Sequence, residues 1–570
     1  MRYSDQLNGR FQNPILFADY SDPDVIRVGD TYYMTASSFN YTPGLPILIS
    51  KDLVNWKLVN YALKNIKEER YNIPRHSEGV WAPAIRYHDG MFYIYYGMPD
   101  EGYYVVRTKD PLGKWEEPVC ILEGKGLIDP CPFWDEDGKA YIIHGYAKSR
   151  IGFKSILGIF EMSSDGLAAI TEDHFIFNGN DPSHPAVTIE GPKVYKRDGF
   201  YYILAPAGGV KDGYQVALRS KYIKGPYEIK EVMHTGNTVI NGPHQGGLVD
   251  TVNGDEWFIH FQDRGLYGRI CHLQPVEWKN GWPVIGVNPD EDDCGEPVFE
   301  MDKPNTGYKN EDVTYLDSSD DFKDGKYGLQ WQWLGNHKEE FYDSCKDHDG
   351  LKLYALNPSG EENPVIWRSA NVLTQKLIFP TFETDIKMDY SGLKEGERAG
   401  ICMTGGQYIT SYLEKRAENQ IYLCIAESEG KDSDKSEIIK KEIALENLNE
   451  ESLNSDESLS GDESIISWKM IFDIDLDESI EKEASQSEAE KYEKRNLYFQ
   501  NVHHPYGGKN PSLKIYVKLG GSEYKKLDVD YTPSDHTWVG AKLGIYAIGK
   551  KSDKSNSGYA EFLYIKTKER

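Results

Sequence analysis

Asp198-Gly199-Phe200-Tyr201-Tyr202 reads as a two-residue turn that delivers the chain into a strand of aromatics, and four near copies share its half of the sequence. They are Val28-Gly29-Asp30-Thr31-Tyr32-Tyr33, Asp89-Gly90-Met91-Phe92-Tyr93, Asp137-Gly138-Lys139-Ala140-Tyr141 and Asn253-Gly254-Asp255-Glu256-Trp257. Asp-Gly, Asn-Gly and Gly-Asp pairs supply the positive φ angles that tight hairpins need, so each copy predicts a strand-turn-strand unit. Successive glycines lie 61, 48, 61 and 55 residues apart. That period suits four-stranded propeller blades with outer loops of varying length better than it suits a sandwich. A second, polar turn follows each of the first four hairpins, strongest in Ser50-Lys51-Asp52-Leu53-Val54-Asn55-Trp56 and Lys109-Asp110-Pro111-Leu112-Gly113-Lys114-Trp115, weaker at Ser164-Asp165-Gly166 and Ser220-Lys221-Tyr222. The fold expected is all-β, opening with a five-bladed β-propeller over residues 1–305.

After Trp278 the repeats stop, and Asn288-Pro289 through Thr306-Gly307 reads as linker from its proline, glycine and charge. Short apolar or alternating runs such as Leu329–Leu334, Phe382–Met388 and Leu543–Ile548 then predict a β-sandwich over residues 315–570. Between about 427 and 494 the composition turns to Glu, Asp, Ser and Lys, which predicts flexible acidic insertions flanking one strand at Ile465–Phe472.

Across 570 residues the formal net charge is −27. Nucleic acid and anionic membrane both require a basic footprint, so neither is an expected partner, and a neutral ligand fits better. Seven scattered cysteines include no Cys-x-x-Cys pair, which indicates neither a disulfide framework nor a zinc site. The first ten residues lack a secretory apolar run and no segment is long enough to span a bilayer, so the expected location is cytoplasmic.

Seven to ten residues before the five glycines stand Asp22, Trp81, Asp129, Glu190 and His244. The first strand of a propeller blade runs beside the central axis, so residues at the starts of those strands converge on one end of the channel. Asp22 and Asp129 each precede a proline, which favours extended backbone before it. Taken alone, Asp22 reads as a turn cap. Three carboxylates at matching places in three repeats favour a site, because a carboxylate beside an apolar strand is costly unless it is paired or faces a wet cavity. Two carboxylic groups flanking a glycosidic bond can hydrolyse it, and a third nearby raises the pKa of the acid. Glycoside hydrolysis is the chemistry these residues point to.

Asp22-Pro23-Asp24-Val25-Ile26-Arg27-Val28-Gly29-Asp30, Trp81-Ala82-Pro83, Ile128-Asp129-Pro130 and Glu190-Gly191-Pro192, in that order, give the first domain a resemblance to glycoside hydrolase family 43, a family of five-bladed propellers. The region after residue 315 resembles, more weakly, the sandwich appended to its long exo-acting members. The resemblance implies Asp22 as general base, Glu190 as general acid, and Asp129 as the residue that tunes the acid and orients substrate. It implies inversion of configuration, with the Asp22 and Glu190 carboxyls about 6.5–9.5 Å apart and water between base and sugar. His244 matches an axial histidine that faces a calcium ion or ordered water in the channel, with no cofactor required. Arg269 matches an arginine that contacts substrate, and Phe39 and Trp81 would wall the sugar. His503 and His504 stand in a sandwich loop that could reach the pocket.

What the resemblance implies is an exo-acting β-xylosidase or α-L-arabinofuranosidase removing terminal xylose or arabinofuranose from plant cell-wall hemicellulose oligosaccharides. The residues do not choose between the two sugars and leave the oligomeric state open. The rivals are an endo-arabinanase, which needs an open groove, and a non-catalytic carbohydrate-binding protein, which has no need of three acids.

Overall fold

A computed structural model describes residues 4–309, 313–344, 349–429, 436–450, 464–475 and 509–570. Five four-stranded antiparallel sheets, each made of strands consecutive in sequence, occupy residues 24–285. Their first strands are Asp24–Val28, Trp81–His88, Leu127–Trp134, Lys193–Arg197 and Gly246–Asp250. All five reach one cavity of about 550 Å³ at one mouth of the channel, as blades around a common axis must, and its lining does not include Asp22, Asp129 or Glu190. This is the five-bladed propeller.

The repeated glycines all lie at the tip between first and second strands, with φ of 64° at Gly29, 77° at Gly90, 84° at Gly138, 73° at Gly199 and 89° at Gly254. Around Gly90 a Cβ would meet nothing within 4 Å, so the requirement there is conformational and not steric. Gly90→Ala is expected to cost about 1–2 kcal/mol, the penalty of left-handed backbone. Gly90→Asn should cost less, because asparagine tolerates that region. Thermal unfolding of the two variants checks the order.

The second sequence signature is the turn between third and fourth strands. Asp52 Oδ1 accepts the Val54 and Asn55 amides, Ser50 Oγ accepts those of Asp52 and Leu53, and Thr108 with Asp110, Ser163 with Asp165 and Ser220 repeat the device. Short polar side chains thus satisfy backbone donors that a bare turn would leave unpaired.

Ion pairs between blades brace the ring: Arg86 reaches Asp24 at 2.6 Å, Lys196 reaches Asp135 at 2.7 Å, Arg197 reaches Glu256 at 2.7 Å, and Arg27 grips Asp250. The cavity at that mouth therefore has its charges already matched. Closure comes from the chain ends. Arg10–Gln12 pairs antiparallel with Glu300–Asp302, and Asn13 Nδ2 donates to the carbonyls of Leu273 and Val298, each at 2.8 Å. Residues 300–302, expected as linker, are thus a strand; three residues are too short a run for alternation to mark one, and Arg10 pairs with both acids at 2.9 Å.

Two seven-stranded sheets form the sandwich, with strands from Trp331–Trp333 to Tyr559–Glu569. Ile465–Asp475 is an interior strand, between Phe382–Asp389 and Lys509–Leu519. Glu437–Ala444, expected within the insertions, is instead an edge strand paired with Gln420–Ser428. Its Ile438 and Ile439 are exposed, so the alternation that marks a half-buried strand is missing there. The acidic residues 430–435, 451–463 and 476–494 lie outside the described residues, as do His503 and His504. Among the described residues no helix is long and apolar enough to cross a membrane, and six cysteines are free.

The two domains share a core. Phe39 and Tyr41 of the propeller pack in one cluster with Leu334, Trp367, Tyr408 and Tyr546 of the sandwich, and Thr42 bridges Trp333 across the boundary. This places one face of the sandwich beside the blade-one loop that precedes the active-site wall.

Candidate active site

One backbone device repeats in all five blades. Asp22, Ala82, Asp129, Gly191 and Gly242 each precede a proline, and their φ angles are 54°, 36°, 59°, 56° and 55°. The extended backbone expected before Pro23 and Pro130 is therefore replaced by a left-handed kink. For the non-glycine residues this strain costs about 1–3 kcal/mol each, and it persists where surrounding contacts over-determine it. At Asp22 and Asp129 those contacts are on the carboxylates themselves, and at Ala82 the amide is held by Ser37 Oγ.

Asp22, 6% exposed, accepts from Ser21 Oγ at 2.8 Å, from Ser37 Oγ at 2.6 Å and from Arg269 Nη1 at 3.0 Å. Ser37 Oγ in turn accepts the Ala82 amide at 2.7 Å, which ties blade one to the strand carrying Trp81. Asp129, 4% exposed, accepts the Gly191 amide at 2.8 Å, so the residue after Glu190 is fastened to the neighbouring acid. A Cβ on Gly191 would stand 2.5 Å from the Gln245 side chain, so there glycine answers to both space and φ.

Electrostatics separates Glu190 from Asp129. Glu190 is raised to about 8, first by removal from bulk water and next by the charge of Asp129, with Arg269 and Lys154 opposing. Its side chain keeps 34% exposure, which leaves it open to a bound ligand. Asp129 is raised to about 6 by burial and by Asp22. Pushing the pKa values of neighbouring carboxyls apart is how one site comes to hold an acid and a base together.

The structure also brings Arg269 and His244 to this hollow. Besides Asp22, the Arg269 guanidinium contacts Ser21 Oγ at 2.7 Å and lies 4.6 Å from the Phe261 ring centroid and 5.3 Å from that of Trp538. His244 Nε2 stands 3.5 Å from Glu190 Oε1, and burial and Arg269 hold its imidazole far below the usual histidine range, hence neutral. Both its ring nitrogens are buried without a hydrogen-bond partner. They suit an ordered water. A calcium ion, which takes six to eight oxygens, would find one imidazole here, and no three His, Cys, Asp or Glu side chains among the described residues are grouped as ligands.

Trp81 donates its indole N–H to Ser77 O at 3.1 Å and carries Arg150 at 5.4 Å over its ring. Phe39, 4% exposed, packs edge-on to Trp81 at 6.4 Å and supports it from the shared core. The reading of the sequence missed Ser21, Ser37, Lys154 and Trp538. Trp538 belongs to a sandwich loop at residues 534–540, and this loop meets the site at Arg269.

Residues 11–283 match the profile of the glycosyl hydrolases of family 43, and residues 319–460 match that of the β-xylosidase C-terminal Concanavalin A-like domain. A β-xylosidase of Formosa agariphila is 36% identical over 455 residues, covering 71% of this chain and 75% of the relative. A non-reducing-end α-L-arabinofuranosidase of Bacteroides ovatus is 30% identical over 416 residues, covering 69% and 73%. The crystal structure of a xylan β-1,4-xylosidase from Bacillus halodurans superposes with a TM-score of 0.76 at 22% identity over 98% of this chain and 99% of that one, a likeness of fold. Neither the endo-arabinanase nor the non-catalytic reading is favoured by these relatives. With its five blades, its paired acids and its appended sandwich, the chain belongs to glycoside hydrolase family 43 and is a glycosidase.

Proposed function

We propose that the protein removes single terminal xylose or arabinofuranose units from hemicellulose oligosaccharides by one inverting displacement. The observation that carries this reading is the contrast between Glu190, raised to about 8 and open to the hollow, and the buried Asp22, whose oxygens accept three hydrogen bonds, one of them from Arg269. As the glycosidic bond lengthens, Glu190 hands its proton to the departing oxygen. A water attacks the anomeric carbon from the opposite side, and its proton passes to Asp22. Asp129 keeps Glu190 protonated between turnovers by like-charge repulsion. Arg269 steadies Asp22, and Trp81 offers an apolar face to a sugar ring.

Exo action is supported by the near-complete cover over Asp22 and Asp129 and by the sandwich loop lying against Arg269. An internal cut would need the polymer to run through that cover.

Nitrophenyl β-xyloside, nitrophenyl α-arabinofuranoside and xylotriose test the reading. Release of single pentoses is expected, and proton NMR in the first minutes should show the product with inverted anomeric configuration. Internal cleavage of linear arabinan with the small glycosides left intact would defeat it.

A further inference from the structure

We propose that Asp19 is a positioning residue, the joint through which the β-sandwich holds Arg269 in place over the catalytic hollow. The inference rests on the roles given above to Arg269 and Glu190.

Asp19 is 5% exposed, and its two oxygens face two domains. Oδ1 accepts the backbone amide of Arg269 at 3.0 Å. Oδ2 accepts the amide of Gly540, in the sandwich, at 3.1 Å, and lies 3.6 Å from Nζ of the buried Lys542. The next residue completes the grip, since Tyr20 N–H donates to Arg269 O at 3.0 Å. Both polar groups of the Arg269 peptide unit are thus held by the segment that, three residues on, presents Asp22 to the same arginine's guanidinium.

The joint has no slack. A Cβ on Gly268 would stand 2.3 Å from Asp19 Cγ, and one on Gly540 would stand 2.5 Å from Gly268 N. Asp19 also answers buried positive charge from the sandwich. Lys542 faces Lys376, whose ammonium is lowered to about 7 by burial and by Lys542, with Tyr20, Tyr41 and Cys271 as the other groups around the pair. A carboxylate held by a backbone amide on one side and by a second domain on the other transmits displacement, because neither partner can be given up without stranding a buried polar group.

The consequence for chemistry runs through charge. Arg269 opposes the rise in the Glu190 pKa, so an arginine allowed to drift away lets that pKa climb further. The test is the pH profile of kcat/KM on nitrophenyl β-xyloside for wild type, Asp19→Asn, Gly540→Ala and Arg269→Gln in the full chain. Each profile is scaled to its own plateau, so the amount of folded enzyme drops out. Asp19→Asn and Gly540→Ala are expected to move the alkaline limb upward by about half a pH unit or more. Gly540→Ala leaves every charge in place, and it decides the matter if Asp19→Asn does not fold. An unmoved limb in Gly540→Ala, whatever its melting temperature, overturns the joint. If Arg269→Gln, which removes the charge, also leaves the limb unmoved, the reading of Arg269 and Glu190 fails instead.

Discussion

Glu190→Ala is expected to lower kcat on xylo-oligosaccharides by about 10²–10⁴-fold, the range that a positioned general acid contributes. Aryl glycosides whose leaving groups need no proton should lose far less. The same carboxyl governs pH dependence. Glu190 is protonated below its raised pKa, so wild-type activity on natural substrate should hold up to about pH 8 and fall as pH rises through it. On activated glycosides the Glu190→Ala enzyme should lack that alkaline limb. Asp129→Asn, which removes the repelling charge, should draw the limb toward lower pH. Equal losses on activated and natural glycosides would remove Glu190 from the acid's role.

Asp22→Ala should be as damaging, about 10²–10⁴-fold, but uniformly so, because water must be activated whatever the leaving group. It should also unsettle the fold. Arg269, itself buried, would lose its 3.0 Å partner, and breaking such a pair by deleting one member costs about 3–5 kcal/mol. Asp22→Asn keeps the shape and can still accept from Arg269. It should therefore match alanine in lost activity while melting closer to wild type. Steady-state kinetics on both nitrophenyl glycosides, set beside melting curves, separates the two effects. Activity that survives both substitutions would mean that another group is the base.

What the sequence made legible was local or repeated. Each hairpin glycine announces itself because positive φ is a property of two adjacent residues, and five such turns at blade-like spacing specify the propeller. The trio Asp22, Asp129 and Glu190 was legible for the same reason, since a blade repeat assigns each residue a place relative to the axis. Ser37, Asp19 and Trp538 were not. Their meaning comes from partners far along the chain: the Gly540 amide lies 521 residues from Asp19. Nor does a Thr-Trp-Val-Gly run show that its tryptophan, 43% exposed with φ of 68°, will lie against an arginine of another domain. The kink before Pro23 ran against the ordinary preference of that position, because the hydrogen bonds on Asp22 outweigh it.

The antiparallel pairing of Arg10–Gln12 with Glu300–Asp302 gives the propeller a schedule as well as a shape. A ribosome adding roughly 5–20 residues per second leaves the amino-terminal strand without its mate for tens of seconds. During that wait the nascent first blade has no fifth blade against which to bury Val25 and Ala36, and Arg27 lacks Asp250. The growing chain is thus most open to misassociation before residue 302 emerges, and slowing translation within the last blade would lengthen that window.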